Sequence, residues 1–234
     1  MTEDDERIEY AISNTVVLRM PKQTLSTFGT TNIHYYLLTK PVYTDLMGKG
    51  EAADETVVRE GRVITERPKV ITPSYLINLE GFSKYARKYL ESLAEKYGSN
   101  APGIFYSYKN EPKDTSVVSS PMKTVIERIN KEIDSNNDQL STIIKGVDDM
   151  WDVSVMKFIY EVTESSVGKH MSEMGSQGLF DIDRLGVPAG ARQRIEEMFA
   201  IVQRGEMEPT DLKLELDRWG LFGQYEDRFL SLFR

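Results

Sequence analysis

The sequence predicts an α+β fold: a β-rich N-terminal region with one covering helix, followed by an all-helical C-terminal region. Three observations predict it. β-branched and aromatic runs bounded by Pro, Gly or Asn dominate the chain before Pro73, a helical period replaces them immediately afterwards, and from Met122 apolar residues recur at three- and four-residue steps.

Residues 1–10 hold five acids and one Arg, which reads as a disordered acidic N-terminus. Residues 15–20 (TVVLRM) and 33–39 (IHYYLLT) have strand composition. In residues 55–67, two β-rich runs flank Glu60 and Gly61, which suits a tight hairpin, and Pro68 and Pro73 then bracket a short extended piece. Residues 45–54 read as a loop because glycines and small residues dominate them. Phe82, Tyr85, Ala86, Tyr89, Leu90 and Leu93 mark an amphipathic helix capped by Ser83 and closed by Gly98, and residues 104–108 read as a further strand. Residues 11–108 thus form a β-rich α+β domain.

Residues 109–121 (KNEPKDTSVVSSP) have the composition of a linker. Beyond them residues 122–234 read as a helical domain. Ile126, Ile129, Ile133, Leu140, Ile143, Val147 and Met150 keep a seven-residue register, which favours one long helix. The run DSNND at 134–138 interrupts it with weak helix formers, so a two-helix hairpin is the preferred reading. Residues 152–174 read as a central helix buried on more than one side, because Trp151, Val155, Phe158 and Val162 line one face and Met156, Ile159, Tyr160, Val167 and Met171 another. Pro188 and Pro209 open two further helices, Gly205 and Gly220 close them, and a last short helix carries Tyr225, Phe229, Leu232 and Phe233.

Composition closes many chemistries. The 234 residues contain no Cys and only two His, which removes thiolate catalysis, cysteine zinc sites and disulfides. An acidic start and the lack of a long apolar run predict a soluble, cytoplasmic protein with no membrane partner. The formal net charge of -8 lies wholly in residues 111–234, so nucleic acid is a disfavoured partner over most of the surface. There is no nucleophile elbow, zincin motif or dinucleotide glycine fingerprint, and the Gly-Lys-Gly at 48–50 lacks the spacing of a phosphate loop. No catalytic motif is recognisable.

Four candidate sites remain. Asp148 and Asp152, four apart, could hold Mg²⁺ if a helix runs through both, though no cofactor is otherwise expected; macrodipole stabilisation at a helix start is the plainer explanation. His170 lies on an apolar stripe and reads as a packed histidine, since no Glu stands three residues before it. No acid occurs from Ala11 to Thr44, where composition alone would give about five. Arg19 and Tyr35 in that stretch, with Arg59, Arg62, Arg67 and Lys69 beyond it, therefore suggest an anion site for a phosphorylated or nucleotide-like ligand on the early strands, unless cross-strand acids neutralise them. Trp219, Phe222, Tyr225 and Phe229 offer a partner surface, or else simply pack the core. The leading expectation is a non-catalytic interaction or regulatory protein whose helical domain binds a protein partner or a second copy. The alternative is an enzyme or sensor for a small anionic molecule, and the third an RNA-binding protein.

Overall fold

The computed structural model describes residues 3–42, 55–80 and 83–233, with the side chain of Leu93 excepted. The elements in chain order are α1 (Glu3–Asn14), β1 (Val16–Arg19), β2 (Thr31–Thr39), β3 (Thr56–Thr65), β4 (Lys69–Ile71), α2 (Pro73–Ile77), α3 (Lys84–Tyr97), β5 (Gly103–Phe105) and β6 (Tyr108–Val118). There follow α4 (Met122–Ser135), β7 (Ser141–Lys145), α5 (Trp151–Ser176), α6 (Ala189–Gln203), α7 (Pro209–Arg218) and α8 (Phe222–Ser231). The class is α+β, as expected. No helix is long and apolar enough to cross a membrane among the described residues.

By their contacts the residues fall into two compact units, Met1–Arg67 with Ser107–Lys169, and Pro68–Tyr106 with His170–Arg234. The first is built on a five-stranded sheet in the order β1-β7-β2-β3-β6. Only β2 and β7 run parallel; every other pairing is antiparallel. Side-chain alternation gives the sheet two covered faces. On one, Tyr36, Leu38, Val58 and Ile143 bury Val125, Ile129 and Ile133 of α4, residues spaced four apart so that they share one stripe of the helix. On the other, Leu37 and Ser154 of α5 both crowd the space beside Gly146. The outer strand β6 carries Lys109, Pro112, Lys113 and Asp114, residues that discourage pairing with another chain.

The second unit pairs β4 with β5 and packs α6, α7 and α8 around Ala191, Ile195, Phe199, Leu212, Leu216 and Phe229. Ser83 caps α3, its hydroxyl accepting from the Ala86 N–H at 3.4 Å, and Gly98 ends it with φ 97°.

Five expectations are corrected by these elements. The acidic start forms α1 rather than a disordered tail, because Glu3, Asp4, Asp5 and Glu6 occupy the first turn, where the helix dipole favours negative charge, and Ala11 anchors it in the core. Residues 56–65 form one continuous strand instead of a hairpin. Gly61 is needed there for close packing, since a Cβ would meet the Tyr35 ring and come within 2.8 Å of the Glu111 carbonyl oxygen. The expected linker is β6, whose polarity is that of an exposed edge. After α4, the turn at 136–140 leads into strand β7 and not into a second helix, so β7 brings the later half of the chain into the sheet. The expected second face of α5 is buried only at Ile159; its other residues are open, with Met156 63% and Tyr160 66% exposed. The loop expected at 45–54 and Phe82 lie outside the described residues.

Candidate binding cavity

A cavity of about 720 Å³ opens in the first unit at the end of the sheet where β2 and β7 finish. Because these strands are parallel, their carboxyl ends emerge side by side: Leu38 is in register with Lys145, and the Gly146 N–H donates to the Leu38 carbonyl at 3.0 Å. In open α/β sheets ligands bind in the crevice outside the carboxyl ends of parallel strands, and this one parallel pair presents that arrangement locally. Lys40 continues the side-chain row of Leu38, and Lys145 that of Ile143, so both lysines project on the α4 side, where Met122 also lines the cavity. Opposite them stand Glu3, Glu6, Arg7, Tyr10 and Asn14, whose three- and four-residue spacing puts them on one face of α1. Residues 145–150, which join β7 to α5, complete the lining together with Val42.

Asp148 in the lining belongs to a partly buried polar link. Asp148 Oδ1 accepts from Arg59 Nη1 at 2.5 Å and from Thr39 Oγ1 at 2.6 Å, and the same guanidinium nitrogen donates to Thr39 Oγ1 at 3.1 Å. The Arg59 and Asp148 side chains are only 18% and 15% exposed. The turn carrying Asp148 is braced by Ser154, whose buried hydroxyl bonds that of Thr15 at 2.7 Å and accepts from the Val147 N–H at 3.4 Å. Arg7 ties α1 to this turn through Asp149 at 3.3 Å, and Lys157 caps the carbonyls of Ile12 and Thr15 at 3.2 and 2.7 Å.

The expected anion site is not assembled. Arg59 answers Asp148, Arg62 answers Glu111 at 2.6 Å, and Arg19 answers Asp134 at 2.7 Å. Tyr35 is fully buried, its hydroxyl donating to Asn110 at 3.1 Å, and burial raises its pKa. Arg67 lies over the Phe28 ring, and Lys69 belongs to β4 in the other unit. Glu111 ionises below the ordinary carboxylate range because Lys109 and Arg62 donate to it, and Asp134 does so because Arg19 does. The strands therefore carry their own counter-charges.

The proposed Mg²⁺ pair is also separated by the structure. α5 starts at Trp151, so Asp148 lies outside it and the two carboxylates do not share a helix face; Asp152 accepts from the Val153 N–H at 2.9 Å. Among the described residues no group of three His, Asp or Glu has metal-binding geometry. His170 is fully buried, with the Tyr106 hydroxyl 2.7 Å from Nδ1. The C-terminal aromatics turn inward. Phe229 is 7% exposed in the core, Trp219, Phe222 and Tyr225 pack against that core, and the Trp219 indole donates to Glu215 at 3.2 Å.

Sequence reasoning missed Lys40 and Lys145 as a pair. Each lysine looks ordinary alone, and their proximity depends on the parallel pairing of β2 with a strand expected to be helix. A signal was present in the β-branched run Thr142, Ile143, Ile144, but so short a run does not separate strand from helix by period. Comparison with models of known protein families, with curated proteins and with solved structures finds no match.

Proposed function

We propose that this protein binds a small anionic ligand, such as a phosphorylated metabolite, in the cavity at the ends of β2 and β7, and acts as a sensor or regulatory protein. One observation carries the reading. Arg7, Arg19, Lys22, Arg59, Arg62, Lys109 and Lys157 of the same unit each have a carboxylate within 4.0 Å; of the described cations of this unit without an ion pair, which include Lys113, Lys123, Arg128, Lys131 and Lys169, it is Lys40 and Lys145 that line the cavity. Two solvated ammonium groups beside a volume in the ~300–1,000 Å³ range of small-molecule sites are suited to bind an anion. Neither histidine lines the cavity, and the Asp148 oxygen facing Arg59 and Thr39 is already bonded, so the reading is binding rather than turnover.

A thermal-shift titration with inorganic phosphate and sugar phosphates tests it. Ligand at about 100-fold its Kd stabilises by about 2.7 kcal/mol, or about 5–10 °C in Tm for a chain of this size. Lys40→Ala with Lys145→Ala should abolish the shift. An unchanged Tm with every anion, or a shift that survives both substitutions, refutes the proposal. Self-association is a second reading, favoured by the apolar residues Met156, Tyr160 and Val167 exposed along α5. Light scattering on the purified chain and on Tyr160→Glu decides it: a monomer at all concentrations counts against it.

A further inference from the structure

The walls of the cavity are oppositely charged. Of its lining residues, Asp149 is answered by Arg7 and Asp148 by Arg59. What remains is Glu3 and Glu6 on the α1 wall and Lys40 and Lys145 on the sheet wall, and no ion pair within 4.0 Å joins the two walls among the described residues. Two negative and two positive groups thus face a shared space without neutralising one another. A simple anion would engage the lysines but would bring its charge towards two carboxylates. A molecule carrying an anion at one end and an ammonium at the other complements both walls at once.

We infer that the ligand of this cavity is dipolar, an aminoalkyl phosphate or a molecule of equivalent charge layout, with its phosphate on Lys40 and Lys145 and its ammonium on Glu3 and Glu6. This rests on the cavity being the anion site proposed above. The remaining lining is consistent with a short linker between the two charged ends: Val42, Met122, Val147 and Met150 supply apolar contact, and Tyr10 and Asn14 supply polar atoms.

Calorimetric titration of the full chain compares O-phosphoethanolamine with ethyl phosphate, which has nearly the same size and no ammonium. The expected result is binding of phosphoethanolamine at least about tenfold tighter, the ratio expected from one modest charge pair worth about 1.4 kcal/mol. Glu3→Gln with Glu6→Gln should bring that ratio to about one while retaining ethyl phosphate binding. Asp4→Asn removes an equal charge from the same helical turn away from the cavity wall, and should leave the ratio intact. Lys40→Ala with Lys145→Ala should weaken both ligands. Circular dichroism confirms that each variant is folded.

Equal affinity for the two probes, or a preference that persists in the glutamine variant, overturns the dipolar assignment and leaves the anion site standing. Failure of both probes and of inorganic phosphate overturns the site itself. Vesicles of phosphatidylglycerol, whose headgroup carries a phosphate and no ammonium, with and without phosphatidylethanolamine distinguish the source of the headgroup. Binding that needs phosphatidylethanolamine and Glu3 and Glu6 supports the dipolar chemistry on a lipid surface. Binding of free phosphoethanolamine alone supports a soluble metabolite.

Discussion

Replacing Arg59 by Met, Asp148 by Asn, and both together tests whether the link at the cavity holds β2, β3 and the β7–α5 turn as one piece. Arg59 spans β3 to the turn, and Thr39 from β2 shares the same carboxylate oxygen. Breaking a fully buried ion pair costs about 3–5 kcal/mol because the surviving partner keeps its desolvation cost. The residual exposure of 18% and 15% reduces this, so each single variant should lose about 2–3 kcal/mol. At ~2–4 °C per kcal/mol for a chain of this length, Tm should fall by about 5–10 °C. The double variant should lose less than the sum, because neither charge is then stranded, with a coupling energy of about 1–2 kcal/mol. Calorimetric melting at pH 7 measures all four proteins. Additive losses, or single losses below about 0.5 kcal/mol, would mean that water rather than Arg59 solvates Asp148 and would refute the linkage.

Gly146→Ala should destabilise the protein by about 1–3 kcal/mol, because a Cβ there comes within 2.7 Å of Ser154 Cβ and 2.9 Å of Leu37 Cδ1; a melt unchanged from wild type contradicts the packing at that turn. Asp183 ionises below its ordinary value of 3.8, burial being outweighed by the N–H groups of Val187 and Leu185 and the Arg192 guanidinium. Its contribution is therefore intact above the unfolded value near 3.8 and is lost as pH falls through the lower folded value. Acid unfolding of Asp183→Asn should accordingly show a shallower pH dependence than wild type, and parallel curves would exclude this role. His34 should titrate by NMR with a midpoint below 6.5, because burial outweighs the opposing charge of Glu60 3.8 Å away. Acidification through 6.5 then protonates the unfolded chain first, so stability falls until the folded value is passed; a midpoint above 6.5 contradicts this.

Those elements whose burial matches their local pattern were legible in the sequence. β2 was readable because it is central and buried, and the helices of the second unit because caps, prolines and glycines mark their ends. What misled was position in the sheet. β6 lies at an edge, so Lys109, Pro112, Lys113 and Asp114 give it the composition of a linker while ten of its eleven residues pair with β3. β7 is buried among other strands, so it shows neither alternation nor amphipathic period. Gly61 signalled a turn, yet the φ freedom of glycine was irrelevant there; the missing side chain, which makes room for Tyr35, was what mattered. Local chemistry was correctly read in each case, but the tertiary neighbour decided which of two meanings applied.

Charge asymmetry along the chain has the same explanation. The early strands lack acids from Ala11 to Thr44 and the later half is acidic, which suggested a cationic face waiting for a ligand. Instead the fold inserts β6, α4 and β7 beside those strands, so Glu111, Asp134 and Asp148 become the partners of Arg62, Arg19 and Arg59. Residues far apart in sequence thus neutralise one another, and linear segregation becomes local pairing. Guanidinium groups suit this role, since their fixed fork pairs with carboxylates at partly buried sites. Lys145 is left over because its partners in register are Val16 and Leu38 rather than carboxylates, and Lys40 lies just past the end of β2. An anion at this cavity would therefore bind to groups that the fold leaves unpaired, without displacing a structural ion pair. For that reason the lysine variants should lose ligand while keeping stability within about 0.5 kcal/mol of wild type, the usual range for surface substitutions. Removal of Arg59 should do the reverse, lowering Tm first.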